Sequence, residues 1–303
     1  MILIAAAVVV AMIAGVQARR TTDRTDAFVT ASLDLVLFVL LPVIAFAFAS
    51  RLELTLATFV GLLGGYAMIA IIGVLAWQVA SRRLGLTRKQ QGAVVLSVIL
   101  ANTGYLGLPV AITLLGRDEF PQAVAWDSFI SQPMALLVAP FIAGAFAGVH
   151  EDRHVGQKLV TVLRRAPALP ALAIGLIVPG HWVGDWLFDL ATYAVYGILP
   201  LGFFAVGATL QRLRSDDAVR PPRQAVALIV GLRIVVAPAL FAVLVLVLPD
   251  EPRAFMLQAA MPCGINALVI GHGFDLDRGL TSLAIAWSTG IVIAAALVGT
   301  YVV

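Results

Sequence analysis

The chain has 303 residues, of which 61% are hydrophobic and only 12% charged, against about 45–50% and about 25% in soluble globular proteins. A chain of this composition lies in a membrane, and spans of about 20 residues each leave no length for a soluble catalytic domain. The formal net charge of +3 is read by position along the chain, because basic residues in a membrane protein report orientation before partners; nothing argues for nucleic-acid binding. The single Cys263 excludes an intramolecular disulfide.

Ten apolar segments follow in chain order, at roughly 2 to 18, 28 to 50, 55 to 80, 90 to 115, 121 to 149, 166 to 181, 187 to 210, 223 to 248, 253 to 273 and 280 to 302. Charged or Pro/Gly-containing connections bracket them, such as Arg82, Arg83, Arg88 and Lys89 before the fourth. When the connections are assigned to alternate sides, sixteen of the twenty basic residues, from Arg19 to Arg278, fall on one side. Only Arg51, Arg117 and Arg253 fall on the other, and Arg233 lies inside a span. Basic loops stay in the cytoplasm, so both termini are expected outside it, in a multi-pass protein of the cytoplasmic (inner) membrane. A signal peptide cleaved near Val16-Gln17-Ala18 is the competing reading of the first segment, but Arg19 and Arg20 follow the apolar stretch rather than precede it.

Leu41-Pro42 in the second segment aligns with Leu199-Pro200 in the seventh, and the same offset superposes Phe46-Ala47 on Phe204-Ala205 and Leu52 on Leu210. This predicts a repeat of five spans, 1–150 and 166–303, joined by a cytoplasmic linker at 151–165. A five-span unit re-enters the membrane inverted. Inverted repeats are the common architecture of secondary transporters, whose sites form where broken helices meet near the midplane. Two helices rich in Leu, Ala and Pro also align this well by chance.

The breaks are expected in the fourth and ninth spans, which correspond under the repeat. They carry Ala101-Asn102-Thr103-Gly104-Tyr105-Leu106-Gly107-Leu108-Pro109 and Met261-Pro262-Cys263-Gly264-Ile265-Asn266. Proline removes a donor and glycine weakens the helix, while freed backbone groups cannot face lipid. Half-helix ends at that depth would offer N–H groups and positive dipole ends to an anion. The alternative is a proline kink in each span, with the Asn bonded to its own backbone.

Ionisable residues inside spans cost at least roughly 2.5–3.5 kcal/mol each and are functional candidates. Arg233 is the deepest, and Asp127 and Asp34 are the available carboxylates. Arg233 either charge-balances an anion while Asp127 responds to a proton, or the two form a fixed pair and Asp34 faces water at the cytoplasmic mouth. Gln258 and His272 are weaker candidates. His150-Glu151-Asp152-Arg153-His154 spells the zinc protease motif H-E-x-x-H, but no third ligand is visible, charged Asp152 and Arg153 fill its middle positions, and Gly156 follows. A solvated loop is the better reading, and neither an enzyme nor a cofactor is expected. Gly61 and Gly65 read as close helix packing, and the Asp275–Gly279 segment lacks the remainder of a calcium loop.

Asn102-Thr103-Gly104-Tyr105-Leu106-Gly107-Leu108-Pro109 and Gln258-Ala259-Ala260-Met261-Pro262-Cys263-Gly264-Ile265 resemble the two crossing-helix motifs of the auxin efflux carrier family, which includes plant PIN-FORMED exporters and bacterial permeases. Leu41-Pro42 with Phe46, Leu199-Pro200 with Gly207, and Arg233 before Pro238 extend the resemblance over nearly the whole chain. It implies an all-α fold of ten spans in which spans 4 and 9 unwind and cross. It further implies that spans 1, 2, 6 and 7 form a scaffold and homodimer surface, and that the others move as a transport domain in an elevator-like cycle. The substrate-binding residues it implies are Asn102, Thr103, Gly104, Pro262, Cys263, Gly264 and Asn266, with Arg233, Asp127 and Asp34 as charge or coupling residues. The implied substrate is a small organic anion, with a proton or sodium as a possible coupling ion. Ala101 stands where plant members have Pro, and span 3 lacks an ionisable residue, which argues against auxin itself. A sodium-coupled symporter of the bile-acid type is the main rival.

Overall fold

A computed structural model of the chain describes residues 2–22, 24–52, 55–148, 167–215, 221–247 and 252–302, and these are helical apart from their connections. In chain order the helices are α1 (Ile2–Thr21), α2 (25–49), α3 (Leu56–Arg83), α4 (Arg88–Ile99), α5 (103–115), α6 (117–147), α7 (Ala168–Ile177), α8 (Asp185–Ser215), α9 (223–247), α10 (Arg253–Ala259), α11 (Ile265–Gly273) and α12 (Arg278–Val302). Among the described residues, five helical stretches are long and apolar enough to cross a membrane: Leu56–Arg83, Thr103–Ala147, Asp185–Ala205, Arg223–Leu244 and Arg278–Val298. The 45-residue stretch Thr103–Ala147 is two helices, because Gly116 adopts φ 80°, ψ −172°, a region open to glycine and strained for other residues. The remaining expected spans are helical but include short or divided ones: α7 has ten residues, and breaks separate α4 from α5 and α10 from α11.

Proline shapes the interior of these helices. Five π turns, at Val36–Leu40, Thr103–Gly107, Asp127–Ser131, Met134–Val138 and Leu232–Val236, each end two residues before a proline: Pro42, Pro109, Pro133, Pro140 and Pro238. A proline has no N–H for the carbonyl four residues back and its ring crowds that carbonyl. In every case that carbonyl belongs to the middle residue of the π turn. The helix widens by one residue there, as when the N–H of Gln132 bonds the carbonyl of Asp127. At Pro133 the orphaned Phe129 carbonyl accepts a hydrogen bond from the Tyr66 hydroxyl of α3 at 2.5 Å.

Two groups of helices pack around this framework. α1 lies along α8, and α7 packs on the second half of α2, which also contacts α8. These contacts are close because glycines stand at them: an added Cβ at Gly207 would fall on the Met12 backbone, and one at Gly175 on the Phe46 carbonyl. The other group joins α3 to α4 and α9, α4 to α6 and α12, and α5 to α10. Its centre is Trp126 of α6, whose ring meets Phe241 of α9 at 5.2 Å and Phe255 of α10 at 5.3 Å.

Polar contacts gather at the two ends of the bundle. At one end Arg51 pairs with Asp185 at 2.6 Å and covers the Phe188 ring at 3.4 Å, while Arg117 reaches Asp189 at 2.9 Å. At the other, Lys89 donates to Asp275. That hydrogen bond, and then the ammonium charge, hold the Asp275 carboxyl below the usual carboxylate range. The contribution is therefore present at neutral pH, where the carboxyl is ionised in either state, and fades as acid protonates it.

Gly207→Val is expected to lower the thermal midpoint of the detergent-solubilised protein, since overpacking against backbone costs about 1–3 kcal/mol. An unchanged midpoint would show that α1 can withdraw from α8 without loss.

Candidate functional site

The two breaks lie side by side and complete each other. α4 ends at Ile99 and α5 resumes at Thr103; α10 ends at Ala259 and α11 resumes at Ile265. Between them the N–H of Asn102 donates to the Pro262 carbonyl at 2.8 Å, and the N–H of Gly264 donates to the Leu100 carbonyl at 2.7 Å. The result is an isolated antiparallel bridge of Ala101 with Cys263. Gly264 permits this approach, because an added Cβ would stand 2.7 Å from the Ala101 carbonyl oxygen. The Cys263 N–H is taken by the Ser288 hydroxyl of α12 at 3.2 Å.

Arg233, 1% exposed, closes the end of α10. Its Nε donates to the Met261 carbonyl at 2.8 Å and one Nη to the Ala259 carbonyl at 3.0 Å. The guanidinium thus sits at the negative end of a half-helix, where a cation is favoured. The pair with Asp127, one of the two alternatives open from the sequence, does not form, since Arg233 is turned to these carbonyls. Gln258 also has a structural partner, since its Nε2 donates to the Ala123 carbonyl of α6 at 3.1 Å.

The opposite, positive helix ends face a narrow cavity of about 20 Å³, room for about one water. Asn102, Thr103, Gly104 and Tyr105 line it from the start of α5, and Ile265 and Asn266 from the start of α11. Asp127, Ser131 and Gln132 line it from α6, and Val36, Leu41 and Ile198 form an apolar wall from α2 and α8. Three of the proline-linked π turns therefore border one cavity, and π turns in helices frequently mark functional sites.

Asn102 is the least satisfied residue here. It is 2% exposed, and neither its Oδ1 nor its Nδ2 has a partner, a rare condition that calls for a ligand or a functional use. Asp127, 4% exposed, is satisfied by neutral donors. The Thr103 hydroxyl donates to its Oδ1 at 2.5 Å and lies 2.7 Å from the Ser131 hydroxyl; Gln132 Nε2 donates to its Oδ2 at 3.3 Å. Gly104 lies beside it, where a Cβ would stand 3.4 Å from Asp127 Oδ1, in ordinary contact.

Of the residues expected from sequence, Asn102, Thr103, Gly104, Asn266 and Asp127 come together at the cavity. Pro262, Cys263 and Gly264 belong to the bridge that holds the breaks and do not line the cavity. Asp34 is exposed on α2 and His272 is exposed on α11, both away from the lining. The His150, Glu151 and His154 motif lies outside the described residues. Sequence reasoning missed Ser131 and Gln132, although both stand one helical turn beyond Asp127, and it missed Val36 and Ile198, which carry no chemical signature.

Residues 188–299 match the family profile described as membrane transport protein. An uncharacterized transporter of Methanocaldococcus jannaschii is 22% identical over 226 residues, covering 72% of this chain and 70% of the relative. An uncharacterized transporter of Methanothermobacter thermautotrophicus is 27% identical over 233 residues, covering 72% and 71%. Over these residues the chain is similar to membrane transport proteins. The joined breaks and the cavity beside them are the candidate site.

Arg233→Ala is expected to destabilise the protein by about 1–3 kcal/mol for each buried carbonyl left without a donor, read as a fall in thermal midpoint. Arg233→Lys restores only part of it, because one ammonium lacks the planar fork that reaches both carbonyls. A variant carrying Ala at full stability would remove the capping role.

Proposed function

We propose that the chain is a secondary transporter that carries small organic carboxylate anions across the cytoplasmic membrane by alternating access around this cavity. The observation that carries the reading is the unpartnered Asn102 amide, buried beside the N-terminal ends of α5 and α11. Free N–H groups and positive dipole ends favour an anion, and the Asn102 Nδ2 adds a donor. Val36, Leu41 and Ile198 suit an apolar body attached to the carboxylate. The negative ends of the half-helices are occupied by other partners: Arg233 on α10, and Gly264 N–H at the end of α4. Polarity at the junction therefore selects for negative charge.

In this reading the ten apolar segments are ten spans in two inverted repeats, 1–150 and 166–303, with both termini outside the cytoplasm. The carrier moves α3–α6 and α9–α12 against a scaffold of α1, α2, α7 and α8 in an elevator-like step. Support comes from the packing, which ties each group more closely within itself than across. Contacts between groups are of a kind that can be exchanged, such as the Tyr105 ring over Gly202 and the Arg117 to Asp189 ion pair. A cavity with room for about one water is closed around its site, so the substrate enters as the groups separate. Scaffold side chains exposed on α8, including Trp186, Leu190 and Tyr193, suit lipid or a second copy in a homodimer.

Asn102→Ala tests the site. The amide has no protein partner, so its removal is expected to leave the thermal midpoint equal or higher while carboxylate uptake in vesicles falls by roughly tenfold or more, the worth of about one charged hydrogen bond. Normal uptake kinetics in this variant would overturn the site.

A further inference from the structure

We propose that Asp127 is the proton-binding site of this carrier, and that each transported anion is accompanied by one proton. The proposal rests on the anion reading of the cavity and adds its coupling ion.

Among the described residues lining the cavity, Asp127 is the only carboxyl and there is no Lys, Arg or His. The nearest candidate for a counter-charge, Arg233, is turned to the carbonyls of Ala259 and Met261. Besides its own helix, α3, α5 and α7 pack on the Asp127–Ser131 turn. α5 brings Thr103 and Tyr105, of which Tyr105 interacts electrostatically with Asp127. α3 brings Tyr66, whose hydroxyl is committed to the Phe129 carbonyl. α7, Ala168–Ile177, contains no ionisable residue. Arg117, Asp118 and Glu119, on the helix of Asp127 itself, lie about two turns or more away. An anion entering beside an ionised Asp127 would place two like charges in one buried site without a cation, and such groups do not both stay ionised. Anion binding and proton binding therefore favour each other, by the same factor in both directions.

The hydroxyl chain makes the exchange specific. Thr103 has one proton and two oxygen neighbours, Asp127 Oδ1 and Ser131 Oγ. With Asp127 ionised, Ser131 donates to Thr103 and Thr103 donates to the carboxylate. With Asp127 protonated, the order reverses: Asp127 donates to Thr103, Thr103 donates to Ser131, and the Ser131 proton is released to face the cavity. Protonation thus removes the repelling charge and presents a new donor to the anion. The proton comes from water on the side to which the cavity opens and forms the Asp127 O–H bond. It returns to water on the other side as the anion leaves. The site bears one negative charge when empty, on Asp127, and one when loaded with a monocarboxylate, so a complete cycle moves no net charge and the accumulation it sustains is independent of voltage.

The test uses the full chain in proteoliposomes with a trapped pH dye, and labelled lactate and phenylacetate as probes. Expected are co-movement of protons with either probe, accumulation driven by a pH gradient, and no effect of replacing sodium by choline or of an imposed potential. One pH unit sustains about a tenfold gradient at one proton per anion. Asp127→Asn keeps the shape and hydrogen-bonding capacity of the protonated acid but cannot release a proton; it is expected to lose this gradient-driven accumulation and the pH dependence of uptake. Accumulation that persists in Asp127→Asn, or that follows a sodium gradient, overturns the proposal. A second measurement needs no substrate: in infrared difference spectra one component of the carbonyl absorption of protonated carboxylic acids should grow as pH falls and be missing from Asp127→Asn. A wild-type band unaffected by that substitution overturns the proton site even if transport is found. Transport of neither probe, with the Asp127 band present, counts against the anion reading for these probes and leaves the proton site standing.

Discussion

Everything at the centre of this molecule depends on one constraint: a peptide group at membrane depth has no water to bond, so each N–H and C=O freed from a helix must find a partner in the protein. The two breaks meet it together. Asn102 N–H and Gly264 N–H exchange bonds with Pro262 and Leu100 across the junction, and Arg233 and Ser288 take up the next groups outward. Neither break would be tolerable alone. The crossing point is therefore a unit, and its glycine is fixed by the separation of the two backbones rather than by a need for flexibility.

Proline applies the same constraint at five further places. A proline in a helix interior normally costs about 3 kcal/mol or more through a lost bond and a clash. Here the helix answers by widening into a π turn, and at Phe129 the freed carbonyl goes to the Tyr66 hydroxyl. Because three of these turns border the same space, the devices that accommodate proline also create the irregular, polar-lined wall that a packed bundle of regular helices would lack.

Much of this was legible in the sequence, and the remainder was not for identifiable reasons. Length and composition imply membrane helices, and the paired Asn, Gly and Pro clusters mark the breaks to within a few residues, because proline and glycine act locally. Arg233 is conspicuous for the same reason: a charge is rare in an apolar segment. Its partner was not legible, since backbone carbonyls 26 and 28 residues away leave no mark in side-chain chemistry, and pairing it with Asp127 followed from charge alone. The π turns were present in the sequence as Pro42, Pro109, Pro133, Pro140 and Pro238, but the consequence of each proline depends on whether its neighbours leave room for an extra residue in the turn. Val36, Leu41 and Ile198 carry no signal at all, because a wall of a cavity and a lipid-facing stripe use the same side chains.

The two halves of the junction contribute unequally. The first break supplies functional groups: Asn102 with its free amide, and Thr103 with the hydroxyl that joins Asp127 to Ser131. The second supplies geometry, since Pro262, Cys263 and Gly264 hold the bridge and only Ile265 and Asn266 reach the cavity. Such a division follows from the capping of the ends. Arg233 fills the space at the end of α10 and fixes that half in place, whereas the corresponding end of α4 is satisfied by backbone alone and leaves its flank free for side chains. A junction with an arginine on each side would be more rigid and would carry a second buried charge. With one, Asp127 is the only carboxyl among the described residues lining the cavity, and in the reading proposed above its charge is decided by what enters beside it.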